Sequence, residues 1–248
     1  MAKAIPLSEL PVVDRHTDPA DFSKENFSTG AVILIDKPLE WSSFHAVKFV
    51  RYRVPPKKVG HAGTLDPLAT GLLVICTGKA TKSIEQVQKM PKEYIARITF
   101  GSSTPSYDGA LEPDETAPWQ HITKEKIEQK LGEEFSGEIM QKPPIYSAIR
   151  IKGERLYKKA RRGEKVEIVA RPVQIYETEL LDVNLPEITL RVKCGKGTYI
   201  RSIAHDLGIS LNSRAYMSGL ERTAIGSFHV EDAFTTDEFR DFMKTYET

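Results

Sequence analysis

Residues 60–81, GHAGTLDPLATGLLVICTGKAT, place one acid, Asp66, in a turn between a Gly/Thr-rich loop and a short apolar run, Leu72 to Cys76. Pro67 follows the acid directly. Proline fixes its own φ and pushes the residue before it out of the helical region. Asp66 is therefore held on a stiff, extended backbone next to Gly60, Gly63 and Gly71. A carboxylate placed this way can act as a nucleophile. An isolated Asp-Pro is far more often a plain turn that starts a strand, so the rest of the chain has to decide between the two.

Outward from this stretch the pattern is mixed. Ala31 to Ile35 is a continuous apolar run, a buried strand, and Leu72 to Cys76 is another. Ser42 or Ser43 caps a helix running to about Arg53, with Val47 and Val50 on one face. Thr81 starts a helix with Ile84 and Val87 at helical spacing, and Tyr94 to Phe100 alternates as a strand. Thr123 caps a helix that stops at Gly132. Ile149 to Ile151 is extended, and Glu154 to Arg162 reads as a basic helix ended by Gly163. Val173 to Val183 and Ile188 to Cys194 are strands. Thr198 to Leu207 is a helix whose core face is Ile200, Ile203, Ala204 and Leu207. Thr235 to Glu238 form a capping box for a last helix. Strands outnumber helices and do not alternate regularly with them. That predicts an α+β fold with a mixed, mainly antiparallel sheet and flanking helices.

Composition narrows the field. A chain of 248 residues can bury a sizeable core. Lys+Arg 35 against Asp+Glu 34 leaves almost no net charge, so an RNA partner would be met by local patches. Cys76 and Cys194 both lie in apolar runs and allow at most one bridge, which points to a reducing compartment. No run approaches 18 apolar residues, and the N-terminus lacks the apolar core of a secretory signal. These features predict a cytoplasmic location.

Five stretches, in order over residues 29 to 226, resemble the motifs of the TruB family of pseudouridine synthases, which isomerise uridine 55 in the T-loop of tRNA. The central one is 60–82. Upstream, TGAVILIDKPLEWSSFHAVKFVR (29–51) is similar to the first motif, with Asp36-Lys37-Pro38 after a buried strand. PKEYIARITFGSSTPSYDG (91–109) resembles the tyrosine motif. QKPPIYSAIRIKGERLYKKARRGEKVEIVARPVQIY (141–176) resembles the RNA-gripping segment, and KCGKGTYIRSIAHDLG (193–208) the arginine motif. The resemblance implies the pseudouridine synthase fold, with an active-site cleft across the centre of the sheet. Family members often add a small RNA-binding domain of the PUA type. Only about 20 residues follow Phe228 here, so none is expected. The expected organisation is an N-terminal extension over 1–28 and a catalytic domain over 29–248, including the basic segment at about 145–172.

The resemblance also assigns roles. Asp66 is the reacting carboxylate, by attack on base or sugar or by elimination at the ribose. Tyr94 stacks on the target uracil. Arg201 pairs with the catalytic aspartate, which would keep it ionised; its position on the helix points away from the apolar face. Tyr199 and Leu220 line the uracil pocket. His61 inserts into the space left when the base is flipped out, replacing lost stacking. The reaction breaks an N-glycosidic bond and remakes it as a carbon–carbon bond on the same base, with no redox change. No cofactor and no metal is expected, and the sequence has no HxxxH, CxxC or P-loop pattern.

Between Arg150 and Arg171 there are nine basic and three acidic residues, a surplus of six in a nearly neutral chain. Lys158, Lys159, Arg161 and Arg162 are its densest part, with Tyr146 and Tyr157 interleaved, giving charge and stacking surface for RNA. Arg51, Arg53, Lys57 and Lys58 form a second cluster. The expected partner is the T-arm stem-loop of tRNA, bound by a monomer, with no membrane. A non-catalytic RNA-binding or tRNA-folding protein on the same scaffold is the alternative; Asp66, Tyr94 and Arg201 together favour the enzyme.

Overall fold

The two apolar runs around Ile33 and Ile75 pair with each other. Val12–Val13 (β1) runs parallel to Val32–Lys37 (β2), and β2 runs antiparallel to Ala69–Thr77 (β4). Val59–His61 (β3) is also antiparallel to β4, with His61 opposite Ile75. Nearly every residue of β2 and β4 is buried, so the sequence shows unbroken apolar runs instead of alternation. Successive side chains still point to opposite faces. Ile33, Ile35, Leu73 and Ile75 join one apolar cluster, and Val32, Leu34, Leu72, Val74 and Cys76 join another.

The computed structural model describes residues 4–55, 58–147, 149–151, 154–156, 162, 164 and 166–246. The chain divides into two compact units, Met1–Glu93 with Glu221–Thr248, and Tyr94–Leu220. The first unit holds β1 to β4, the helices Lys24–Thr29 (α1), Ser43–Arg51 (α2) and Ile84–Lys89 (α3), and Thr236–Lys244 (α6) near the C-terminus. Ser42 is the α2 cap, accepting from the His45 amide, and Thr235 and Glu238 close the expected capping box on α6. Residues 4–28, read from sequence as an extension, give this unit Leu10, Val13, Phe22 and Phe27, all buried.

The second unit is built on Lys92–Phe100 (β5), Gly137–Gln141 (β8), Arg171–Asn184 (β11) and Glu187–Cys194 (β12), in the order β5-β12-β11-β8. β11 is antiparallel to both β12 and β8. Two helices, Lys124–Glu134 (α4) and Ile200–Ser210 (α5), pack their apolar faces into one cluster with Ile98, Leu190 and Val192. Ala215–Ile225 (β13) begins in this unit and ends in the first, where it pairs with Phe228–His229 (β14). The fold is α+β with mainly antiparallel strands, as predicted.

Helix boundaries differ from the sequence reading: the helix expected from Thr81 begins at Ile84, and the one expected over Thr198–Leu207 spans Ile200–Ser210. α4 passes through Gly132 to Glu134 because buried Phe135 docks beyond it; Gly137, at φ 72, supplies the left-handed residue instead. The start of the expected basic helix is extended: Arg150–Ile151 (β9) pairs antiparallel with Glu154–Arg155 (β10). Ser102–Ser103 (β6) and Glu115–Thr116 (β7) form a further short ladder.

Candidate active site

In the first unit the Asp66 turn is clasped from below. Ser43, the buried first residue of α2, accepts from the Leu65 amide at 2.8 Å and donates to the Leu65 carbonyl at 3.0 Å. The Ala69 amide donates to the Asp66 carbonyl, and the Glu40 amide to the Pro67 carbonyl. Asp66 itself is half-buried. Rigid support of this kind is what a reacting carboxylate needs.

Two buried cations flank the turn. Lys37, the last residue of β2, is fully buried. Its ammonium donates to the carbonyls of Trp41 at 2.6 Å, Pro38 at 3.0 Å and Pro67 at 3.5 Å. Burial pushes it down from 10.5 to about 8, and the negative charges of Asp66 and Asp36 work against that fall. Arg222, on β13, is also buried. It donates to the Leu72 carbonyl at 2.8 Å and the Gly63 carbonyl at 3.2 Å, tying both ends of the 60–72 loop together. Gly71 makes this possible. It sits at φ 97, and a Cβ there would lie 2.4 Å from the Arg222 carbonyl oxygen. His61, half-buried at the end of β3, has its imidazole held below the usual range by burial. A neutral ring suits stacking.

The Lys37–Asp66 attraction gives a pH signature. Loss of the ammonium proton near pH 8 removes positive charge from beside Asp66, so kcat/KM should decline as pH rises through about 8. Stability moves the other way. Between about 8 and 10.5 the unfolded chain holds a proton that the folded chain has lost, so this residue's contribution to stability rises with pH across that window. Lys37→Arg, charged throughout, should abolish both trends. A pH–rate profile flat from pH 7 to 9 would sink the assignment.

The second unit positions the other expected residues. Arg201, on the first turn of α5, is not the available surface arginine that the helical pattern predicts: the side chain is 5% exposed. Its guanidinium donates to the carbonyls of Ser106 at 3.0 Å and Tyr146 at 3.1 Å, and lies 3.4 Å from the Asp108 carboxylate, itself 6% exposed. Asp108 also accepts from the Ser106 hydroxyl at 2.6 Å and the Ala110 amide at 3.0 Å. A planar fork with several acceptors is fixed in direction, which a solvated arginine is not. Tyr199 caps α5 and exchanges two hydrogen bonds with the Gln141 side chain, while Arg171 lies over its ring at 5.3 Å. Tyr94 and Leu220 are partly buried against the apolar cluster of this unit.

Of the basic segment, Lys158, Lys159 and Arg161 lie outside the described residues. Arg162 is exposed, but Glu154 holds it with two bonds, at 2.7 and 2.8 Å, and Glu164 with one at 2.7 Å. Its guanidinium is held by carboxylates on both sides. Sequence reading missed Lys37, Arg222 and Asp108 as parts of the site. Lys37 had a signal, a lysine that ends a strand opened by an apolar run; the other two look like ordinary strand and loop charges.

A family model described as TruB family pseudouridylate synthase (N terminal domain) matches residues 51–200. The tRNA pseudouridine synthase B of Phocaeicola vulgatus is 50% identical over 228 residues, 90% of this chain and 97% of that protein. The protein of the same name from Flavobacterium johnsoniae is 49% identical over 227 residues, 89% and 99% of the two. That from Clostridium tetani is 43% identical, over 85% of this chain and 72% of that protein. Among solved structures, a chain in the crystal structure of a Cbf5-Nop10-Gar1 complex aligns with TM-score 0.71 at 28% identity, covering 99% of this chain and 62% of that one. A chain in the structure of an H/ACA RNP bound to a substrate RNA containing 2'-deoxyuridine aligns at 0.66 and 28%, covering 93% and 59%. This chain thus spans about three fifths of those two chains' lengths. The mainly antiparallel fold is shared with these structures. The chain belongs to the TruB family of pseudouridylate synthases.

Proposed function

We propose that this chain isomerises uridine 55 in the T-loop of tRNA to pseudouridine. The observation that carries the reading is Asp66: a half-buried carboxylate on a clasped loop, attracted to the buried ammonium of Lys37, in a member of this family. The base leaves the sugar at N1, turns, and is joined again at C5; the C5 proton goes to solvent and N1 takes up a proton. Bonds and electrons balance within the substrate. Asp66 reacts with base or sugar or starts elimination at the ribose, Tyr94 stacks on the uracil, and Arg201 is the guanidinium of the reaction centre. Tyr199 and Leu220 line the uracil pocket, and His61 fills the vacated stack. The enzyme works as a monomer in the cytoplasm, where its tRNA substrate is. Among the described residues no helix is long and apolar enough to cross a membrane.

The test is incubation with tRNA carrying tritium at uracil C5, followed by tritium release and mapping of the modified position. An isolated T-arm stem-loop should be turned over within about a hundredfold of full tRNA, a difference of about 2.7 kcal/mol in transition-state binding. A larger loss would place essential contacts beyond that arm.

Backbone grip is assigned to Lys158, Lys159 and Arg161. Replacing them with neutral residues should weaken tRNA binding and flatten its salt dependence. Arg162→Gln should change the slope much less, because its charge already faces Glu154 and Glu164. Equal effects from the two variants would contradict that division.

A further inference from the structure

The outer face of α2 has no packing role, yet it is aromatic and basic. Ser43, Ala46, Val47 and Val50 face the core. The opposite stripe, at helical spacing, is Phe44, Lys48 and Arg51 with Tyr52 just beyond. Phe44 is 71% exposed and Tyr52 74%. Beside them Trp41 and His45 are stacked, with ring centroids 4.0 Å apart and planes within 8°. The Lys48 ammonium lies 5.7 Å from the Tyr52 ring, and Arg53 sits 3.8 Å over Phe49. Phe44, His45, Lys48, Phe49, Tyr52 and Arg53 line a shallow cavity of about 460 Å³.

Charge selects the occupant. Between Glu40 and Asp66 the sequence has five Lys and Arg and no acid. Cations interleaved with open aromatic faces are what unpaired nucleotides require: phosphates meet the cations, and bases stack on the rings. A base-paired stem would offer no free base faces.

Position selects which nucleotides. The start of α2 is fastened to the Asp66 turn through Ser43 and Leu65. His61 shares its sheet face with Val59, two residues away, and Val59 packs into the same apolar cluster as the inner face of α2. From Phe44 to Tyr52 the rise is about 12 Å, at about 1.5 Å per residue. That is room for a few nucleotides.

We infer that the Phe44–Tyr52 face of α2 is a stacking platform for the unpaired loop nucleotides that flank the target uridine. The inference rests on the tRNA reading above and adds a binding surface to it. The probe is a fluorescent T-arm stem-loop bound to Asp66→Asn protein, so that binding is read without turnover. Phe44→Ala/Tyr52→Ala should weaken its Kd by at least about tenfold, while Phe44→Tyr/Tyr52→Phe should retain affinity. Lys48→Ala/Arg51→Ala should lower the slope of log K against log[salt] by about 0.7 per cation removed. All four side chains are exposed, so the melting temperature should hold. Unchanged Kd and slope on the stem-loop would overturn the inference, as would a loss confined to full tRNA, which would move the contact off this loop. If the tenfold loss is seen but the wild-type protein releases no tritium, the platform stands and the catalytic reading fails.

Discussion

Asp66→Asn should lower kcat by at least about 10⁴-fold, the order of loss expected when the residue that carries the covalent chemistry is removed. The amide keeps the size and shape of the side chain, and the clasp from Ser43 to Leu65 uses backbone groups of the neighbouring residue. The loop should therefore hold its form. tRNA affinity should stay within a few-fold of wild type, since the proposed phosphate contacts lie elsewhere. The measurement is single-turnover tritium release with a parallel binding titration. Release at a rate near wild type would remove Asp66 from the chemistry. A joint loss of binding and release would instead make it a structural residue.

The second large effect is expected at Asp108. With the carboxylate gone, Arg201, whose side chain is only 5% exposed, loses the ion pair at 3.4 Å. Removing one partner of a buried pair costs up to about 3–5 kcal/mol. Asp108→Ala also takes the Oδ1 acceptor from the Ala110 amide and leaves the Ser106 hydroxyl only the longer bond to the backbone carbonyl of residue 108. For a chain of this length about 2–4 °C of melting temperature goes with each kcal/mol, so a fall on the order of 10 °C should follow. Adding Arg201→Met should recover much of that stability without restoring activity, because the buried charge is gone along with the functional group. A melting temperature unchanged within 2 °C in Asp108→Ala would show that Arg201 does not depend on this acid.

The strands were largely legible because they are buried on both faces or alternate cleanly: Leu72 to Cys76 and Ile188 to Cys194 fall within observed strands, and Ala31 to Ile35 does so from Val32 onward. The Asp66 turn was legible because proline restricts the residue before it whatever surrounds them. Arg201 was legible as a residue and misread as to environment. Helical periodicity places a side chain on a face, but what covers that face comes from residues 106–108 and 146, far away in sequence. Arg222 escaped notice for the same reason, since its partners at 63 and 72 lie about 150 residues upstream. Arg162 shows a converse limit. A charge surplus counts cations, not the carboxylates that already hold them.

The first unit is assembled from both ends of the chain, and the second from its uninterrupted middle. Synthesis is vectorial, and compact pieces fold as they emerge. Residues 94–220 are all joined to the chain before Arg222 is added. The emerging polypeptide at that stage carries Asp66 and its whole motif, yet the guanidinium that ties Gly63 to Leu72 has not arrived. Competence is therefore acquired last, when the C-terminal strand and helix reach the sheet that the first few dozen residues began. A nascent chain truncated before residue 222 would hold the chemistry in its sequence and have no clamp to present it.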